Sequence, residues 1–140
     1  MGRRSRRGFP RSWRPLSVAI GLSLAAASSP AQADFGAIAT AEGALVSWGG
    51  AVAASPDEAR AAARAACEDR FEGAVCERVR DVPPDRCFAI AVDQPMRRSV
   101  GYADDVNLRI AKIEATHACR RAGGMACILS HTECVPPDGG

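Results

Sequence analysis

The 140 residues fit one domain, and their charge is unevenly placed: six of the 18 basic residues, and none of the 16 acidic ones, precede Asp34. The formal net charge of +2 therefore belongs to the N-terminal arm, and residues 34–140 carry 12 basic against 16 acidic side chains, or −4. With no basic cluster left there to neutralise phosphates, nucleic acid is excluded as a partner class.

Residues 1–14 hold all six of those arginines, residues 16–29 are small, apolar and uncharged, and Ala31-Gln32-Ala33 follows. A basic start, a short apolar run and an Ala-x-Ala exit predict a signal peptide over 1–33, cleaved after Ala33. The run is too short and too rich in Ser and Gly for a good membrane span. Membrane contact is thus expected only through the signal before cleavage, and the destination is periplasmic or secreted. Ser5-Arg6-Arg7-Gly8-Phe9, with Arg11 beyond, also resembles a twin-arginine export signal. That pathway carries folded cargo out of a reducing compartment, where a bridged domain would not form. The general secretory route is therefore preferred.

Residues 34–40 (DFGAIAT) alternate as a short strand does, Ala41-Glu42-Gly43 is a turn signal, and residues 44–49 (ALVSWG) predict a second strand ended by Gly49-Gly50. Ser55-Pro56-Asp57-Glu58 opens a helix: Ser55 caps it, Pro56 suits the first helical position, and Glu58 completes a capping box. The alanine-rich run to Cys67 is a strong helix former, with Ala59, Ala62, Ala63 and Ala66 on one face. Residues 76–82 (CERVRDV) predict a third strand, broken by Pro83-Pro84.

The chain then repeats itself. Shifted by 52 positions, residues 36–67 lie on 88–119 without a gap: Ala37-Ile38-Ala39 on Ala89-Ile90-Ala91, Gly49 on Gly101, Ala59, Ala63 and Ala66 on Ala111, Ala115 and Ala118, and Cys67 on Cys119. Residues 88–92 (FAIAV) predict a central strand, residues 97–102 pair back on it, and Asn107 caps a helix over 108–121 that Gly123-Gly124 ends. Residues 127–134 are the last strand, and 135–140 a loose tail.

Each copy (36–86 and 88–134) therefore reads β-β-α-β. The expected fold is one α+β domain over 34–134, two such units packed about a pseudo-two-fold axis, with the helices on one face of the sheet or sheets. One copy alone is too small to bury a core.

All six cysteines lie beyond the leader, an even number in a small exported domain, which predicts a disulfide framework. No Cys-x-x-Cys pair is present for zinc or thioredoxin-like redox work. The repeat makes Cys67 equivalent to Cys119, Cys76 to Cys127, and Cys87 to Cys134. A connectivity that survives exchange of the copies, with local closure, is Cys67–Cys76, Cys119–Cys127 and Cys87–Cys134, one of the fifteen possible.

Candidate chemistry is sparse. His131 and Glu133, two apart in a strand, share a face and form a candidate acid–base pair, which a solvated strand face explains as well. Asp104-Asp105 supplies candidate carboxylates, or simply charges the N-terminal end of the second helix. His117 sits in the second helix where the first has Ala65, and no third ligand of metal-site spacing accompanies the two histidines. No nucleophile elbow, phosphate-cradling glycine loop or His-Glu-x-x-His helix occurs. No cofactor or metal is expected. Trp48 and Tyr102, large aromatics with a polar handle, are candidate partner contacts, with core packing the alternative.

Gly36-Ala37-Ile38-Ala39, the Trp48-Gly49 strand, the Ala-rich helix to Cys67, Cys76, Cys87 before Ala89-Ile90-Ala91, and the second Ala/Cys helix together resemble the bacterial secreted family catalogued as domain of unknown function 4189. The resemblance spans nearly all of residues 35–134 and implies a small exported domain, without catalytic residues to carry over. Val100-Gly101-Tyr102 departs from the family pattern, as do Ile110, Lys112 and Ile113, where alanine and glutamate are expected. The expected function is a non-enzymatic exported binding module, such as an inhibitor, immunity or envelope accessory protein. A small hydrolase using His131 and Glu133 with Asp104 or Asp105 is the alternative, and a purely structural envelope component a third reading.

Overall fold

The computed structural model describes residues 35–137; the expected signal peptide and residues 138–140 lie outside the described residues. The first copy forms strands β1 (Phe35–Ala41) and β2 (Ser47–Ala53), helix α1 (Pro56–Glu68) and strand β3 (Arg78–Val82). The second forms β4 (Cys87–Asp93), β5 (Val100–Asp105), α2 (Leu108–Arg121) and β6 (Cys127–Cys134). The β-β-α-β order recurs, as the repeat requires.

Each copy builds its own antiparallel three-stranded sheet with its first strand in the middle, β2-β1-β3 and β5-β4-β6. The central strands are the most apolar segments because both their faces are covered. Ile38, Phe88, Ile90 and Val92 point between the sheets and join Val46, Trp48, Val82 and Val135 in one core. The alternate residues point outward: Ala37 and Ala39 meet α1, and Ala89 and Ala91 meet α2. The domain is therefore a four-layer α-β-β-α sandwich, with the two units related by an approximate two-fold axis through the sheet–sheet core.

Small residues set the spacing of the outer layers. Ala59, Ala63 and Cys67 of α1, and Ala111, Ala115 and Cys119 of α2, are 0% exposed. The buried row of α1 is rotated from the expected one: Ala62 is exposed, and the i, i+4 row ending at Cys67 faces the sheet. A side chain at Gly49 would run into the backbone of Ala63, Ala66 and Cys67, and one at Gly101 into that of Ala115, Ala118 and Cys119. Those contacts correct the expected strand end. Gly49-Gly50 does not close the hairpin; β2 runs on to Ala53, and the glycines lie within it because Gly49 lets α1 approach and Gly50 lies against Phe88 and His131.

The helix starts are as expected. The Ser55 hydroxyl accepts the Glu58 N–H at 3.3 Å, and the Asn107 side chain accepts the Arg109 N–H at 2.9 Å. The bridges are Cys67–Cys76, Cys119–Cys127 and Cys87–Cys134, with no free cysteine among the described residues. The packed chain also extends past Cys134. Val135 is buried and donates its N–H to the Arg86 carbonyl at 2.8 Å, and Asp85 N–H reaches the Pro136 carbonyl at 3.3 Å. The expected loose tail is thus corrected at its first two residues, because Val135 fills the core beside Gly36, where a methyl group would collide with it.

Candidate functional site

Strand β6 places His131 and Glu133 together. His131 Nε2 lies 3.2 Å from Glu133 Oε2, and the imidazole stacks on Phe88 with centroids 5.5 Å apart. Both side chains are half-buried at the seam between the sheets. The expected acid does not join them. Glu133, Phe88 and Asp104 form one row across β6, β4 and β5, so Asp104 sits on the far edge of the sheet, about 10 Å away at two strand spacings. Asp104 is a strand residue, not a loop one, and its carboxylate is held by Arg80 at 2.7 Å and Arg86 at 2.6 Å. Asp105 points to the other face and accepts the Asn107 N–H at 2.8 Å, ordering the turn into α2. His131 and Glu133 can share a proton, and neither Asp104 nor Asp105 completes a relay with them. His117 is exposed on α2, and no three His, Cys, Asp or Glu side chains converge among the described residues.

The two aromatic candidates separate. Trp48 is only 3% exposed and belongs to the sheet–sheet core, which corrects its reading as a surface anchor. Residues alternate along β2, and Ser47 and Gly49 face α1, so Trp48 is forced inward. Tyr102 is half-buried and lines a hollow of about 330 Å³ with Thr40, Glu77, Arg78 and Arg80.

Comparison of the two copies exposes a site that neither aromatic marks. In the first copy the seam between α1 and β3 is closed: Arg60 Nε and Nη2 donate to the two carboxylate oxygens of Asp81 at 2.7 and 2.6 Å. Those hydrogen bonds hold the Asp81 carboxyl below its ordinary value and the Arg60 guanidinium above its own. Strand pairing makes Asp81, opposite Ala37, equivalent to Thr132, opposite Ala89, and the 52-residue shift makes Arg60 equivalent to Lys112. Lysine and threonine make no such pair, and the α2–β6 seam is open. A hollow of about 240 Å³ lies there, lined by Lys112, Ile113, Thr116, His117, Arg120 and Leu129. A second, of about 250 Å³, continues along Ser130 to Thr132.

Three of the exposed apolar side chains lie along α2 and β6. Ile110 is 43%, Ile113 46% and Leu129 42% exposed, where the first copy has Glu58, Ala61 and the half-buried Val79. The first copy folds with glutamate and alanine where the second has Ile110 and Ile113, so those two isoleucines are not a demand of the fold. Lys112 and Arg120 give the rim a positive character. The helix half of this site was visible in sequence as the departures at Ile110, Lys112 and Ile113. The strand half was hidden, because a bulge between His131 and Leu129 breaks the constant shift between the copies.

Duplicated sheets, alanine-lined helices and this bridge pattern accompany a sequence that matches the family profile "Domain of unknown function (DUF4189)" over residues 35–134. The chain belongs to the DUF4189 family. In this DUF4189 domain the match ends at Cys134, the residue that closes the bridge between the copies. Among curated proteins and among solved structures, none matches the chain.

Proposed function

We propose that this DUF4189 domain is an exported, disulfide-stapled binding module that holds a protein partner in the open α2–β6 seam. The observation that carries this is the asymmetry between the copies: the same seam is ion-paired and polar in the first and open, apolar-floored and basic-rimmed in the second. A partner segment presenting an apolar side chain flanked by carboxylates fits that floor and rim. Export follows from the basic, apolar, Ala-x-Ala leader, and an oxidising destination from the three bridges. Tyr102 remains a candidate second contact on the opposite seam.

The test is site-specific cross-linking in cells making the full chain. A photo-reactive residue at position 113 is expected to give a discrete adduct, and one at the equivalent position 61 none. Leu129→Asp should abolish the adduct from position 113. Adducts from both positions, or from neither, would overturn the proposal.

A further inference from the structure

Six described arginines contact a carboxylate or an aromatic ring, and they differ in whether a carboxylate is among their contacts. Arg60, Arg78, Arg80 and Arg86 each contact a carboxylate. Arg70 and Arg97 form no ion pair among the described residues and instead share one ring. The Arg70 guanidinium carbon lies 4.4 Å from the Trp48 centroid, and its Nε donates to the Trp48 carbonyl at 2.6 Å. Arg97 lies 5.9 Å from the same centroid and 4.9 Å from that of Phe71. Two cations are therefore held at one aromatic cluster, and neither has an ion-pair partner among the described residues. Burial first, and then the positive charge of Arg97, push the Arg70 guanidinium below its ordinary value. The buried indole N–H of Trp48 also lacks an acceptor among the described residues.

Backbone and repeat both set this cluster apart. Arg97 holds a left-handed φ of 51°, its N–H bonded to the Asp93 carbonyl at 2.8 Å and its carbonyl to the Val46 N–H at 2.9 Å. Glycine or asparagine adopts that conformation at lower cost, yet an arginine stands there. The positions equivalent to Trp48, Arg70, Phe71 and Arg97 are Val100, Ala122, Gly123 and Leu45. The equivalent positions therefore carry neither a charge nor an aromatic ring, and the repeat does not require either.

We propose that Arg70 and Arg97, seated on Trp48 and Phe71, form a binding site for an oxyanion, either a carboxylate or a tetrahedral phosphate or sulfate group. Guanidinium forks match two oxygens of such a group, and aromatic stacking holds the forks in place before binding. The paired positive charges, unfavourable alone, become favourable when the anion bridges them. This site lies where Arg97, on the β4–β5 connection of the second copy, meets Trp48, Arg70 and Phe71 of the first, and it shares no residue with the α2–β6 seam.

Trp48 is itself the reporter. In the oxidised full chain carrying Trp13→Phe it is the one tryptophan remaining of two. Sodium phosphate, sulfate and acetate are titrated against sodium chloride at matched ionic strength, with Trp48 fluorescence and the unfolding temperature as readouts. At least one oxyanion is expected to saturate the fluorescence change and raise the unfolding temperature where chloride does neither. Acetate alone would identify a carboxylate site, and phosphate or sulfate a tetrahedral one. Arg97→Gln should raise the midpoint by about ten-fold or more, while Arg98→Gln, on the neighbouring exposed arginine, leaves it unchanged. Without anion, Arg97→Gln should unfold no earlier than the parent, because it relieves repulsion; a purely structural stack would lose stability. The proposal falls if no oxyanion exceeds chloride, if Arg97→Gln responds as the parent does, or if Arg98→Gln is equally impaired.

Discussion

Gly101 is the most closely approached of the described glycines, since any side chain there would overlap the backbone of α2 at Ala115, Ala118 and Cys119. Backbone cannot rotate out of the way as a side-chain tip can. Gly101→Ala is therefore expected to lose about 2 kcal/mol or more in denaturant unfolding, and a loss under about 0.5 kcal/mol would show that α2 can lift off the sheet freely. Trp48→Ala should cost about 3–5 kcal/mol through the cavity it leaves, whereas Tyr102→Ala, half-exposed, should cost distinctly less. Equal losses would contradict the placement of Trp48 in the core.

The Arg60–Asp81 pair has a readable pH signature. The Asp81 carboxyl is held below its ordinary value of 3.8, chiefly by hydrogen bonds from Arg60. Its lowered folded value means that the pair's stability is fully present above the unfolded value and is lost as pH falls through the folded one. Both side chains are about half exposed, so solvent screens the pair and the amount is small. Arg60→Gln should lower stability slightly at pH 7, where the pair is intact, and change it little in acid, where the pair is already lost, so that the acid limb becomes shallower. An unchanged acid limb in the variant would remove the pair from the account.

At the scale of elements, each helix starts at a side-chain cap and rests on alanines. Ser55→Ala and Asn107→Ala should each cost about 1 kcal/mol, measured by thermal unfolding, because an orphan N–H of the first turn loses its acceptor. The α1–β3 seam is closed by an ion pair that the α2–β6 seam lacks. Lys112→Arg with Thr132→Asp transplants the first copy's pair into the second. It should close the α2–β6 seam and suppress the adduct from position 113, with stability changed by less than about 1 kcal/mol. Retention of the adduct would place the partner elsewhere.

At the scale of the whole molecule, three bridges hold two units that are too small to be stable singly. In the chain-entropy model the two local bridges, spanning 9 and 8 residues in sequence, contribute about 2.7 kcal/mol each, and the 47-residue span of Cys87–Cys134 about 4 kcal/mol. These amounts compare with the whole stability of a domain this size, about 5–15 kcal/mol. Reduction is expected to abolish the near-UV circular dichroism. The paired Cys87→Ser, Cys134→Ser variant should lose more than either local pair, since it releases the longest loop. A near-UV signal that survives strong reductant would show that the sandwich core suffices.

Much of this was written in the chain because it is local or duplicated. Cap chemistry marked Ser55 and Asn107, the 52-residue shift marked the units, and symmetry chose the bridges, all of which depend on residues near in sequence or on a pattern said twice. Packing decided the rest. Periodicity told that Ala37 and Ile38 face opposite ways, but not that one meets a helix and the other a second sheet. Gly49-Gly50 has the composition of a turn and becomes strand only because α1 and the second sheet press on it from either side. Trp48 and Asp104 look like exposed functional groups until the sheets close, one over the ring and the other between two arginines. The open seam and the Arg70–Arg97 pair come from residues far apart in sequence, Lys112 with Thr132 and Arg70 with Arg97. Only the folded chain brings them together, because which side chains share a space is set by how the layers stack and not by any spacing along the chain.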